Sequence, residues 1–169
     1  MNYEYRKADG SALNGIMEVY RDAQRFMESN GNPQWQKGFP SEDDVRGGIF
    51  GGLIYVVLSG GEIAAVFSAV DYDRDYDEIS GKWLTEGNNY LAVHRVAVSD
   101  KFRGHGAAKF VINAAAEIAS SRGKTSLRFD THEKNIPMRT LLKTQGFTEC
   151  GTIQLFRDET SRIAFEKII

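Results

Sequence analysis

Cysteine is nearly absent from this chain: Cys150 stands alone among 169 residues, with only three prolines beside it. A lone cysteine closes no internal disulfide and builds no multi-cysteine zinc site, which excludes a stapled secreted scaffold and fits a reducing cytosol. Long apolar runs are missing as well. No stretch approaches the roughly 20 residues of a membrane span, and MNYEYRKADG carries charge where a signal peptide needs apolar side chains. A cytoplasmic protein with no membrane partner is expected. There is also no excess of one charge: 21 Lys+Arg against 23 Asp+Glu give −2, too little to gather a phosphate backbone, so nucleic acid is not an expected partner. No 20–50-residue repeat and no low-complexity linker appears. What is present, 41% hydrophobic and 26% charged residues, is the ordinary globular mix, and the expectation is one domain over residues 1–169.

Hydrophobic periodicity sets out the elements. Tyr3 to Lys7 reads as a short strand, and Leu13, Ile16, Met17, Tyr20, Ala23 and Met27 form the stripe of a helix that stops near Ser29-Asn30-Gly31. Residues 32–40 form a loop with two aromatics, a candidate lid, and Ser41-Glu42-Asp43-Asp44 is the acidic first turn of a second helix. Leu53–Leu58 and Ile63–Val70 read as antiparallel strands, followed by a long polar loop to Asn89. Tyr90–Val98 is an apolar strand, and the stripe Ala108, Val111, Ile112, Ala115, Ile118, Ala119 is a helix stopped at Arg122-Gly123. Leu127–Asp130 is the next strand, parallel to the last, then a short helix over 137–145, and a closing hairpin of Thr148–Phe156 with Arg162–Ile168. The class is α/β or α+β with a mixed sheet of about seven strands and helices on both faces.

Between strand and helix stands Arg103-Gly104-His105-Gly106. A glycine turn there aims backbone N–H groups at one point with a helix dipole behind them, which suits a pyrophosphate. It is neither nucleotide signature: G-x-x-x-x-G-K-[ST] is absent, and Lys109 occupies the place of the third glycine in G-x-G-x-x-G. The other reading of these residues is a tight turn opening a well-packed helix.

The segment resembles the acetyl-CoA motif of the GNAT superfamily of N-acetyltransferases, [RQ]-x-x-G-x-[GA], with Arg103, Gly106 and Ala108 in register. Downstream, Asn135, a short helix and Gly146-Phe147 resemble a second family motif, and His94–Val98 with Leu127–His132 resembles a bacterial branch acting on small molecules. The resemblance implies a mixed, mainly antiparallel sheet with one parallel strand pair splayed apart. It implies acetyl-CoA as co-substrate, its pyrophosphate at Arg103, Gly104, His105, Gly106, Ala107 and Ala108, its pantetheine arm on the backbone of Val96 and Val98. Asn135 is a helix cap, alone or with a pantetheine contact as well. No metal is implied. The acceptor is a primary amine of a small molecule or peptide, with a homodimer left open.

An ammonium with a pKa of about 10 is no nucleophile, so a base or a water wire must take its proton. His94 lies two residues before Val96, on the same face of an alternating strand, and is the candidate; its other reading is a satisfied, half-buried histidine. His105 reads as a cofactor neighbour or exposed, and His132 faces acceptor or solvent. Leu142 holds the place where many family members keep a tyrosine acid. Cys150 reads as a small core residue. Trp35, Phe39 and Trp83 either wall the acceptor pocket or pack on the core, and Asp130 is placed with the acceptor. Asp71, Asp73, Asp75, Asp77 and Glu78 look like a calcium loop, but Tyr76 and Lys82 hold its glycine and glutamate positions. A solvated charged loop or an acidic rim for a cationic amine remain as readings. The alternative to an enzyme is a non-catalytic acyl-CoA-binding module of the same fold.

Overall fold

A computed structural model describes residues 1–35 and 38–169; Gln36 and Lys37, in the loop read as a candidate lid, lie outside the described residues. In chain order the described residues form β1 (Glu4–Lys7), α1 (Leu13–Ser29), α2 (Glu42–Phe50), β2 (Ile54–Ser59), β3 (Glu62–Val70), β4 (Ser80–Gly81), β5 (Tyr90–Val98), α3 (Ala107–Ser121), β6 (Ser126–Thr131), α4 (Ile136–Thr144), β7 (Thr148–Gln154) and β8 (Ser161–Ile168). They gather into two compact units, one of residues 1–69 and 95–114, the other of residues 70–94 and 115–169, with β5 contributing to each.

In the first unit β1 pairs antiparallel with β2 (Tyr5↔Val57) and β2 with β3 (Tyr55↔Phe67). The C-terminal half of β5 is the next strand, and the Ser99 N–H just after it donates to the Ala64 carbonyl at 3.0 Å. The apolar stripe of α1 (Leu13, Ile16, Val19, Tyr20, Ala23, Met27) is buried against Ile54, Val56 and Val66, with Val45 of α2. Ile16 has no exposed surface, and truncating it to alanine costs roughly 2–5 kcal/mol. The acidic start of α2 is a capping box: the Asp44 N–H donates to Ser41 Oγ, and the Ser41 N–H to the Asp44 carboxylate at 2.8 Å.

In the second unit β5 runs parallel to β6 from Tyr90↔Ser126 to Val93↔Phe129. There the ladder between them ends, although both strands continue, as a splayed pair requires. β6 pairs antiparallel with β8 (Phe129↔Phe165), β8 with β7, and β7 with β4. The sheet is thus mostly antiparallel with one parallel pair, in the expected mixed α/β class, and has eight strands rather than seven. The extra strand is β4, two residues long, where Gly81 and Gly151 face each other so closely that a Cβ on Gly81 would lie 2.1 Å from the Cys150 carbonyl oxygen. Only glycine fits there.

Candidate active site

Two clusters of side chains and backbone fit chemistry, one in each unit. In the first unit the chain leaves β5 and makes a single tight turn at Asp100–Phe102, pinned by the buried Phe102 ring, before α3 begins. Gly104 (φ +81°) and Gly106 (φ +88°) both occupy the left-handed region, and a Cβ built on either meets nothing within 4 Å. The glycines therefore serve the backbone conformation and leave open space above the turn, where an anion can approach. The Gly106 carbonyl accepts the Phe110 N–H, the first bond of α3, so the N–H groups of its opening residues, Ala107 and Ala108, have no acceptor inside the helix. The Arg103 guanidinium is held by Asp100 at 2.6 Å and lies 3.9 Å over the Phe26 ring. The His105 side chain is exposed, and its carbonyl accepts the Tyr3 hydroxyl at 2.9 Å. Val96 and Val98 lie in β5 beyond Val93, its last residue paired to β6.

The alternation expected along β5 does not run through to Val96. Arg95 has φ +53°, the left-handed region in a residue other than glycine, so simple period two is interrupted between His94 and Val96. Trp35 and Phe39, in the first unit, belong to its core. Trp35 is 8% exposed with its ring edge-on to Tyr20 at 5.6 Å, and Phe39 packs partly buried on the same cluster. The Phe39 ring also receives the Arg95 guanidinium at 5.0 Å.

The second cluster surrounds His94, at the point where the β5–β6 ladder ends. Its Nε2 lies 2.8 Å from Asp73 Oδ2 and its Nδ1 3.2 Å from Asp130 Oδ1, with 22% of the side chain exposed. Burial disfavours the imidazolium, but hydrogen bonds and charge from Asp130 and Asp73 outweigh it and raise the pKa to about 9. At neutral pH the imidazole is therefore a cation between two acids. Burial raises the Asp73 carboxyl, yet the His94 bond and charge and the Asp75 N–H hold it below its ordinary value. The Tyr76 hydroxyl donates to Asp130 Oδ1 at 2.8 Å, and its ring lies 5.6 Å from the His94 ring. Burial, and then Asp130 and Asp73, push that hydroxyl well above the usual tyrosine range. Trp83 packs partly buried on the core cluster of Tyr76, Tyr90 and Ala92, its indole N–H donating to the Tyr76 carbonyl at 3.0 Å.

Of the residues singled out from sequence, His94, Asp130 and Trp83 thus share this unit's cluster. Asp73 was singled out only as one acid of a run read as a charged loop or an acidic rim, and Tyr76 only as the residue at the glycine position of a calcium loop; neither was placed beside His94. The one signal for them was the alternation of acids with tyrosines over residues 71–78, and it does not tell the two tyrosines apart: Tyr76 is 2% exposed, whereas Tyr72 lies in solvent. His132 accepts the Lys134 N–H on Nδ1 at 3.1 Å, in the turn that leads to α4. Asn135 Oδ1 accepts the Met138 N–H at 3.3 Å and caps that helix. Leu142 is fully buried. Cys150 is buried too, which pushes its thiol up and away from reactivity. No helix among the described residues is long and apolar enough to cross a membrane.

Known proteins resemble the chain in fold and, more distantly, in sequence. A crystal structure of a GNAT-family acetyltransferase from Streptococcus agalactiae 2603 is 32% identical, covers 99% of this chain and 95% of its own, and superposes with a TM-score of 0.85. The PaiA N-acetyltransferase from Thermoplasma acidophilum, solved in complex with coenzyme A, is 15% identical over the whole of both chains, with a TM-score of 0.73, a likeness of fold. Streptothricin acetyltransferase from Streptomyces lavendulae is 25% identical, over 88% of this chain and 83% of its own. The model of the acetyltransferase (GNAT) family matches residues 16–147, so the chain belongs to that family and is an N-acetyltransferase.

Proposed function

We propose that the protein moves an acetyl group from acetyl-CoA to the primary amine of a cationic small molecule or peptide, by direct attack in a ternary complex in the cytosol. The observation that carries the amine side is His94 between Asp73 and Asp130, beside Tyr76 and Trp83. Two carboxylates and one imidazolium leave a net negative charge, and Asp75, whose carboxyl burial raises, adds to the field. An ammonium drawn to Asp73 competes with the imidazolium for the same carboxylates. The bound cation therefore lowers the proton affinity of His94, which releases its proton to solvent, and the neutral imidazole then takes the ammonium proton directly or through one water.

The open turn supports the co-substrate side. Backbone N–H groups from Arg103 to Ala108, with the N-terminus of α3, hold the pyrophosphate, and the backbones of Val96 and Val98 pair with the pantetheine arm as an added strand. Asn135 contacts that arm in addition to capping α4. Bound there, acetyl-CoA supplies an acyl carbon activated as a thioester. Leu142 offers no proton to the departing sulfur, so another group or water supplies it.

The test is release of free thiol from acetyl-CoA against a panel of mono- and diamines, amino acids and peptides, with the wild type and His94→Gln. Turnover on cationic amines that falls roughly 10²-fold or more in the variant at neutral pH supports the reading. Tight acetyl-CoA binding with no turnover on any acceptor sinks it.

A further inference from the structure

The chemistry above leaves unused the most buried ion pair among the described residues. Arg128 of β6 and Glu166 of β8 are register partners whose side chains are 3% and 0% exposed, with Nε 3.0 Å from Oε1. A buried pair of this kind seldom stabilises a fold more than well-packed apolar residues of the same volume, so its geometry carries its meaning. Glu166 accepts the Ser126 hydroxyl at 2.6 Å, and its remaining bonds reach out of the sheet. The Leu84 N–H (2.6 Å), the Thr85 N–H (3.2 Å) and the Thr85 hydroxyl (2.5 Å) all donate to it. Arg128 Nη2 donates to the Thr85 carbonyl at 2.9 Å. The pair therefore grips residues 84–85 of an otherwise exposed loop. The Arg128 guanidinium also lies 4.2 Å from the Trp83 ring centre and 4.1 Å from that of Tyr90. Trp83 is thus fixed by a buried cation on one side and by Tyr76, ring to ring at 5.1 Å, on another, while Leu84 and residues 86–89 lie in solvent.

We propose that Arg128 and Glu166 are positioning residues for the acceptor site, holding Trp83 against Tyr76 so that the wall beside His94 is formed before the amine arrives. The inference rests on the amine-acetylating reading of that site. A preformed wall lowers the ordering cost of binding the acceptor and leaves the co-substrate untouched.

The decisive variant replaces both charges at once, Arg128→Met with Glu166→Leu, which removes the grip on the loop without stranding either charge. Its melting temperature stays near that of the wild type. In a Trp35→Phe background Trp83 is the sole tryptophan, and acrylamide quenching of its emission rises in the double variant. With Trp35 intact, the acceptor KM rises roughly tenfold or more while the KM for acetyl-CoA is unchanged. Should the double variant fail to fold, Glu166→Gln, which keeps shape and loses charge, is read in the same two assays. Unchanged quenching overturns the inference, and so does an unchanged acceptor KM, or a rise in both KM values together. A wild type that acetylates no amine overturns the proposed function and takes the inference with it; the failures are told apart because quenching is read without turnover.

Discussion

The two ring nitrogens of His94 lie 2.8 Å from Asp73 and 3.2 Å from Asp130, and a proton held between two acids decides the pH range in which the residue can act as a base. With a weakly basic acceptor, whose own ammonium titrates below pH 7, the limb of kcat/KM reports the free enzyme alone. It is expected to rise with pH through about 9, instead of the 6.5 of an unperturbed imidazole. His94→Gln removes that limb. Asp73→Asn moves it down, because one of the two acids that hold the proton is gone. A wild-type limb near 6.5 would contradict the double carboxylate clamp. None of this was legible in the sequence. Asp73 is 21 positions before His94 and Asp130 36 after it, and no local pattern joins three such distant residues. What the sequence could supply was the three residues separately: the histidine from its apolar strand, Asp130 placed with the acceptor, and Asp73 as one acid of a run that could form a rim.

At the level of single elements, legibility followed periodicity. The helix over residues 13–29 was plain because six apolar side chains at three- and four-residue steps had to share a face. The two-residue β4 was hidden, since so short a strand has no period and rests on the close approach of Gly81 and Gly151. The left-handed turn of the backbone at Arg95 was hidden for another reason: no glycine or asparagine marks that position. The turn before α3 was legible because its glycines are required by conformation, and this sharpens how it should be tested. A bulky side chain at Gly106 strains φ +88° before it obstructs anything, so Gly106→Ala is the cleaner change. It is expected to cost about 1 kcal/mol of stability and, where the methyl meets the pyrophosphate, to weaken acetyl-CoA binding beyond that. Calorimetry beside a melting curve separates the two. Affinity lowered no more than stability would place the phosphates elsewhere.

The whole molecule should register the His94 proton too. Folding raises its pKa from 6.5 to about 9, so the stabilisation is fully present below pH 6.5 and is lost as pH rises toward 9. Asp73 runs the other way: its folded pKa is depressed, so its contribution is present above the ordinary carboxylate value of 3.8 and is lost as pH falls below it. Stability is expected to peak at about pH 5–6 and to decline by a few kcal/mol toward pH 9.5. Urea midpoints across that range check it, and His94→Gln should flatten most of the alkaline decline. A wild type equally stable at both ends would mean that the unfolded chain holds the same proton.

The two compact units interleave along the chain, residues 1–69 and 95–114 in one, 70–94 and 115–169 in the other. The ribosome therefore delivers them in an order. Every residue of the unit that carries the glycine turn has been made by position 114, while Arg128, Asp130 and Glu166 are still to come. The unit with the glycine turn is thus the first to be made in full, and the histidine, made at position 94, waits with only one of its two acids until synthesis passes position 130. On the proposed reading of the site, the clamp on the His94 proton is in this way withheld until Asp130 has been made, by the sequence order of the residues alone.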